Sequence, residues 1–231
     1  MTNILLKYLE ERHKSTQKIE GTKKVGPVIT ISRAFGCQAN LCAADLADIL
    51  TTMDGNLNNP WKVISKEILE QSAKELGIET EKIEYIFQFE KRSAIDEILE
   101  ALSSKYYKSE RKIKKTISEV IHSFGEQGRV IIVGRAGANI LYDINNSLHI
   151  RLIAPLEHRI DGVSRRHKIS HSEAKKLTLE MDEKRAILRN DFAGKRTSDL
   201  DYDLIINCKK MSTEEIVQLI VKAAEMRKMV E

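Results

Sequence analysis

Short runs of β-branched and aliphatic residues alternate along the chain with longer stretches whose apolar positions recur every three or four residues. Five runs read as strands: Val28–Ser32, Trp61–Ile64, Arg129–Val133, Leu148–Ala154 and Tyr202–Asn207. After the first, the segment Ala39–Met53 carries apolar residues at Leu41, Ala44, Leu46, Ala47, Ile49 and Leu50, a predicted helix that can pack on the sheet. Between the second and third runs, "SKEILEQSAKELGI", "EKIEYIFQFEKRSAIDEILEALSSKYY" and "KIKKTISEVIHSF" read as helices with no convincing strand among them. Two charged helices, Pro155–His167 and Ser170–Asp191, precede the polar loop "AGKRTSDLD", and a final helix from about Thr213 to Met229 is capped by Ser212 with Glu215.

This alternation predicts βα units building a five-stranded, mostly parallel sheet in one α/β domain, residues 25–231, with a helical insertion over about 65–127. Residues 1–24 are expected to form a separate helical extension, with Ile4, Leu5, Tyr8 and Leu9 on one side, suited to packing on the domain or against a second chain. A monomer and a homodimer both fit.

Composition narrows the choices. A length of 231 residues is enough to bury a core, and the net charge of +4 suits anionic ligands without demanding nucleic acid. The basic stretch "KSERKIKK" keeps a nucleic-acid-binding module open as a further reading, one that requires strongly salt-dependent binding. No apolar run approaches the roughly 20 residues of a membrane span. The N-terminus lacks a signal peptide's apolar core and cleavage site, so the expected location is the cytoplasm. Cys37, Cys42 and Cys208 form no Cys-x-x-Cys pair, which argues for reduced thiols rather than a disulfide framework or zinc site. His167 and His171 have the spacing of a metal pair, but Ser170 and Glu173 form a capping box that places His167 in the loop before the helix, so no metal site is expected.

Three segments carry candidate chemistry. The first, "VITISRAFGCQANLCAADLADIL", is a strand, a short loop and a helix, the arrangement in which backbone N–H groups and a helix N-terminus converge on an anion. Gly36 sits in that loop, and the Arg33 guanidinium fork is suited to a phosphate. The pattern Gly-x-x-x-x-Gly-Lys-Ser/Thr is unmet, with Ala39 and Leu41 at the lysine and hydroxyl positions, so an ordinary βα loop fits as well. Cys37 lies where a helix N-terminus can lower a thiol's pKa, although a cysteine in a loop is more often simply a small residue. The second segment, "GRVIIVGRAGANIL", places Arg135 at the carboxyl end of a strand, where it suits a phosphate, a carboxylate or a salt bridge. The third, from "LIAPLEHRIDGVSRRH" to "EMDEKRAILRNDFAGKR", concentrates cations. Arg159 and Arg166 share one helix face, Arg185 and Arg189 another, and such charge neutralises a transferring phosphoryl group or simply solvates a helix.

Together, "ITISRAFG", "VIIVGRAGANIL", "IRLIAPLEHRI", "DEKRA" and "YDLIINC", in this order from about Val28 to Leu219, resemble the cytidylate kinase-like family of P-loop proteins, relatives of the nucleoside monophosphate kinases. The resemblance implies a three-layer α/β/α P-loop NTPase-like fold, with an insertion that binds the nucleoside monophosphate and an Arg-rich lid over about 159–200. It implies transfer of the ATP γ-phosphoryl group to CMP, dCMP or a similar small phosphate acceptor, with ATP and Mg²⁺ as cofactors. Small nucleotides would be the partners, with no membrane involved. Arg33, Gly36, Cys37, Gln38, Ala39 and Asn40 would hold the nucleotide, Arg135 the acceptor phosphate, and Arg159, Arg166 and Arg185 the transferring group, with no protein metal ligand implied. The family loop is commonly Gly-Ser-Gly-Gly. Here it reads Gly36-Cys37-Gln38-Ala39, so Gln38 and Ala39 are expected to crowd the phosphates, and a catalytically impaired, nucleotide-binding sensor or scaffold is the alternative.

Overall fold

The computed structural model describes residues 26–77 and 110–230, and the elements within these are numbered in chain order. The expected N-terminal helix and the middle of the insertion lie outside the described residues. Five strands form one sheet: β1 Val28–Arg33, β2 Lys62–Ile64, β3 Val130–Val133, β4 Ser147–Ile153 and β5 Leu204–Asn207. Their order is β2-β3-β1-β4-β5, and every pairing is parallel. The helices are α1 Ala39–Met53, α2 Glu67–Leu76, α3 Glu110–Gln127, the single turn α4 Gly137–Ile140, α5 Leu156–His167, α6 His171–Ala193 and α7 Thr213–Met226.

Alternation along the strands sorts side chains into two cores. Ile29, Ile31, Ile131, Val133, Ile150 and Leu152 face α1 and α7, while Val28, Val130 and Ile132 face α2, α3 and α4. The result is the three-layer α/β/α fold. Helices α5 and α6 carry a smaller core of their own, built on Ile160, Val163 and Ala174. Ser170 and Ser212 each accept from the backbone three residues on, from Glu173 and Glu215, completing the two predicted capping boxes.

The strand order decides where a ligand can sit. From β1 the chain crosses to one side of the sheet, and from β3 it crosses back over β1 to β4. The loops after β1 and β3 therefore diverge to opposite faces and leave a crevice at the carboxyl edge. Ile31 pairs with Val133 and Arg33 with Leu152, so Arg33 and the turn after β3 emerge at the same height.

A buried polar line runs beside this axis. The His149 ring bonds Thr30 Oγ1 at 2.8 Å through Nδ1 and Ser147 Oγ at 3.1 Å through Nε2. Burial is the main reason its pKa lies below the ordinary 6.5. The unfolded chain therefore binds this proton more readily than the folded one, and the stability it confers is complete above about pH 6.5 and is lost as the pH falls below that. Thermal unfolding midpoints are expected to drop between about pH 7 and about pH 5, and His149→Asn to start lower but to flatten that slope. An unchanged slope in the variant would assign the acid sensitivity elsewhere.

Candidate functional site

The loop from Ala34 to Gln38 joins β1 to α1, and its shape is held from above by α5 and α6. Arg159 is 9% exposed and donates from Nη1 both to the Phe35 carbonyl at 3.0 Å and to Asp182 Oδ2 at 2.6 Å. Its Nε donates to the Ala154 carbonyl at 3.0 Å. The other Asp182 oxygen accepts the Phe35 amide at 2.7 Å. One ion pair thus satisfies both polar groups of a single loop residue. The Phe35 ring packs into the α5–α6 core, 5.2 Å below the Arg185 guanidinium and stacked on His167 at 6.4 Å. Arg166 Nη2 donates to the Gly36 carbonyl at 2.7 Å, and Arg185 Nη1 to the Arg33 carbonyl at 3.3 Å.

Gly36 is required here. Its φ is +97°, and a Cβ would lie 3.0 Å from the Cβ of Arg159. Of the two residues expected to crowd the phosphates, Ala39 lines the loop cavity but is only 2% exposed and packs in the core beneath α1. Gln38 is the exposed N-cap residue and makes no capping bond, so the first amides of α1 gain nothing from its side chain. A cavity of about 260 Å³ opens over this loop, lined by Arg33, Gly36 to Leu41, Arg166, His167 and Arg185.

A second cavity, of about 170 Å³, lies on the opposite side of Arg33, against the turn after β3. Arg33, Arg135, Lys184, Arg185 and Arg189 bring five cationic side chains to its wall, with Thr30, Ser32, Ser65 and Tyr202 supplying hydroxyls. Burial, and then the like charges of Arg185, Arg135 and Arg189, push the Arg33 pKa down to about 9, which leaves the guanidinium charged at neutral pH. Burial also lowers Arg185 and Arg189. Arg189 Nε and Asn139 Oδ1 are buried with no hydrogen-bond partner. A wall of desolvated cations of this kind is stabilised by an anion that neutralises it.

The turn beneath this cavity is strained. Gly134, Arg135 and Ala136 all have positive φ, of 75°, 53° and 56°. Glycine suits the first of these because of its positive φ, and a side chain there would displace the Arg33 guanidinium. The two non-glycine residues each carry a cost of order 1 kcal/mol. This strain turns the Arg135 backbone at the sheet edge.

The structure therefore divides the residues singled out from sequence. Arg33 and Arg185 line both cavities; Arg135 lines the second; Gly36, Cys37, Gln38, Ala39, Asn40 and Arg166 line the first. Arg159 lines neither and is spent on the loop backbone. Sequence reasoning missed Asp182, whose signal was its position on the Thr178, Asp182, Arg185, Arg189 stripe of α6. Lys184 and Tyr202 were also missed. His171, away from both cavities, opens α6 beside Glu157 and Asp161. Among the described residues no group of three or more His, Cys, Asp or Glu is placed to hold a metal, and no helix is long and apolar enough to cross a membrane.

Residues 28–210 match the model of the cytidylate kinase-like family. A cytidylate kinase of Methanocaldococcus jannaschii is 28% identical over 125 residues, 53% of this chain and 70% of that protein. A uronate isomerase of Corynebacterium glutamicum is 27% identical over 123 residues, 53% of this chain but only 23% of that longer protein. Among solved structures, an uncharacterized protein from Eubacterium ventriosum superposes with a TM-score of 0.62 at 20% identity, covering 87% of this chain and 98% of its own. A shikimate kinase from Bacteroides thetaiotaomicron superposes with a TM-score of 0.50 at 10% identity, covering 86% and 98%. Both show a shared fold.

The Arg159–Asp182 pair gives a direct stability test. Asp182→Asn removes the charge facing a buried guanidinium and is expected to cost about 2 kcal/mol in urea unfolding. A loss no larger than that of an exposed pair, below about 0.5 kcal/mol, would show that the loop does not depend on it.

Proposed function

The chain belongs to the cytidylate kinase-like family, and on that premise we propose that it is an ATP-dependent phosphotransferase acting on CMP, dCMP or a similar small phosphate acceptor. One observation carries the reading. Arg33 and Arg185 line both the cavity over the loop and the cavity over the Arg135 turn, so the same two guanidiniums face the space between a donor on one side and an acceptor on the other.

The loop cavity fits the phosphates of ATP. Gly36 takes the backbone conformation a tight anion loop needs, and α1 presents its N-terminal amides and dipole to that space. Gly36 to Asn40 hold the phosphate chain, and Arg33 supplies the charge that a lysine gives in other phosphate loops. The described residues offer no acidic cluster for a resident metal, and Mg²⁺ would enter with ATP as part of the nucleotide complex, supplying charge neutralisation at the phosphates beside Arg33. Bound ATP supplies the phosphoryl group.

The chain's own contribution is positioning and charge. Arg135 grips the acceptor phosphate, with Arg189 beside it and Ser32, Ser65 and Tyr202 in reach of its hydroxyl groups. Arg185 and Arg166, on the two helices of the lid, neutralise negative charge as it shifts between donor and acceptor. Arg159 is a positioning residue: it sets the loop through Asp182 and does not touch the phosphates.

A second reading, nucleotide binding without transfer, is favoured by Leu41, which is 55% exposed at the position where a hydroxyl normally helps hold Mg²⁺. Chromatography of ATP–Mg²⁺ incubated with a panel of nucleoside and deoxynucleoside monophosphates separates the two. A diphosphate product is expected, and Arg135→Ala is expected to lower its rate at least about a hundredfold while ATP affinity stays within about twofold. ATP binding with no product on any acceptor would establish the second reading, and full activity in Arg135→Ala would remove the acceptor assignment.

A further inference from the structure

The backbone of Cys37 belongs to the phosphate loop, but no thiol is given a part in phosphoryl transfer, and the fold gathers all three cysteines around one cavity. Cys37, Cys42 and Cys208 line one cavity of about 80 Å³, which shares Gly36, Cys37 and Gln38 with the phosphate cavity and is otherwise walled by residues such as Ala154 and Met211. Cys37 and Cys208, both half-buried, also pack against the core beneath α1 and α7. Nothing in their spacing announces a pair, because one lies in the first loop and the other just beyond the last strand.

The two thiols differ in surroundings. The Cys208 amide donates to the Ile153 carbonyl at 2.8 Å, which fixes its backbone at the end of β5. Cys37 follows Gly36 in the loop, whose carbonyl is gripped by Arg166. The neighbouring Cys208 thiol is the main influence holding the Cys37 thiol below its ordinary pKa, with Arg159 and Arg185 assisting against burial and Asp182. The same pairing pushes Cys208 up, so it keeps its proton, and Cys208 Sγ lies 4.0 Å from the Ile206 carbonyl. Cys42 is raised by burial. The pocket thus holds one thiol inclined to ionise, a second that retains a proton beside it, and a third that is inert.

We propose that Cys37 and Cys208 are a redox pair at the phosphate loop, converted by hydroperoxides into a reversible disulfide that ties the loop to the end of β5. The Cys37 thiolate attacks a peroxide oxygen, the O–O bond breaks, and hydroxide leaves and is protonated to water. Sulfur is oxidised by two electrons to the sulfenic acid as the peroxide is reduced. The Cys208 sulfur then attacks Cys37 sulfur; the S–S bond forms, the S–O bond breaks, and the departing hydroxide takes the Cys208 proton as a second water. A dithiol reductant reverses the sequence by exchange. The site stands on the thiol geometry and holds whether or not the chain transfers phosphate.

The test uses the full chain, hydrogen peroxide as oxidant, alkylation of the remaining thiols, and non-reducing peptide mapping by mass spectrometry. One cross-linked species joining Cys37 to Cys208, two hydrogens lighter than the separate peptides and abolished by dithiothreitol, is expected, with Cys42 alkylated. Because the bond joins residues distant in sequence, the oxidised chain is expected to melt about 5 °C or more above the reduced one. In Cys208→Ser that shift vanishes and Cys37 is trapped by dimedone as the sulfenic acid. Cys37 and Cys208 both recovered alkylated after peroxide, or Cys37 joined to Cys42 or to a second chain, overturns the proposal. The mapping reads the native chain and needs neither the variant nor kinase activity, so a failed kinase assay leaves this test intact.

Discussion

The site depends on the ion pair between Arg159 and Asp182, which encloses the Phe35 peptide. A five-residue connection after a central strand has few interactions of its own to choose one conformation. Here both polar groups of Phe35 are bound, its ring is seated in the α5–α6 core, and the Gly36 carbonyl is held by Arg166. Loop and helix pair are therefore one mechanical unit. Any shift of α5 or α6 moves the loop with it.

The second constraint is electrostatic. Arg33, Arg135, Arg185 and Arg189 are drawn together at the carboxyl edge of the sheet by a strand register that aligns β1 with β3 and by a strained left-handed turn after β3. Mutual repulsion and desolvation disfavour that grouping in the absence of a counter-charge, and the depressed pKa values of three of these guanidiniums express the same cost. The ordinary remedy is a phosphate. Preorganised cations also serve transfer better than mobile ones, because they need not rearrange as charge moves.

Much of this was legible in the chain. The three inner strands were readable because parallel strands buried on both faces are continuous β-branched runs, the partly exposed edge strands β2 and β5 keep the same β-branched bias, and the capping boxes of Ser170 and Ser212 fixed two helix starts. Arg135 and Gly36 stood out because position after a strand is itself a signal. What could not be read was partnership at long range. Arg159 was taken with the phosphate-facing arginines because helical spacing shows which residues share a face but not what that face meets. Asp182 carried too little local signal to be chosen from many acids. The orientation of the Ala39 methyl depended on how α1 rolls against the sheet, and the meeting of Cys37 with Cys208 depended on β5 joining the sheet beside β4.

The central claim is that the cavity over the loop and the cavity over the Arg135 turn are two halves of one site bridged by Arg33 and Arg185. Calorimetric titration with a bisubstrate analogue, adenosine joined through a polyphosphate chain to cytidine, reads this directly. Binding at least about a hundredfold tighter than that of ATP or CMP alone is expected, because the second half binds at high effective concentration once the first is seated. Affinity no better than that of the stronger single nucleotide would show that the two cavities are not one site.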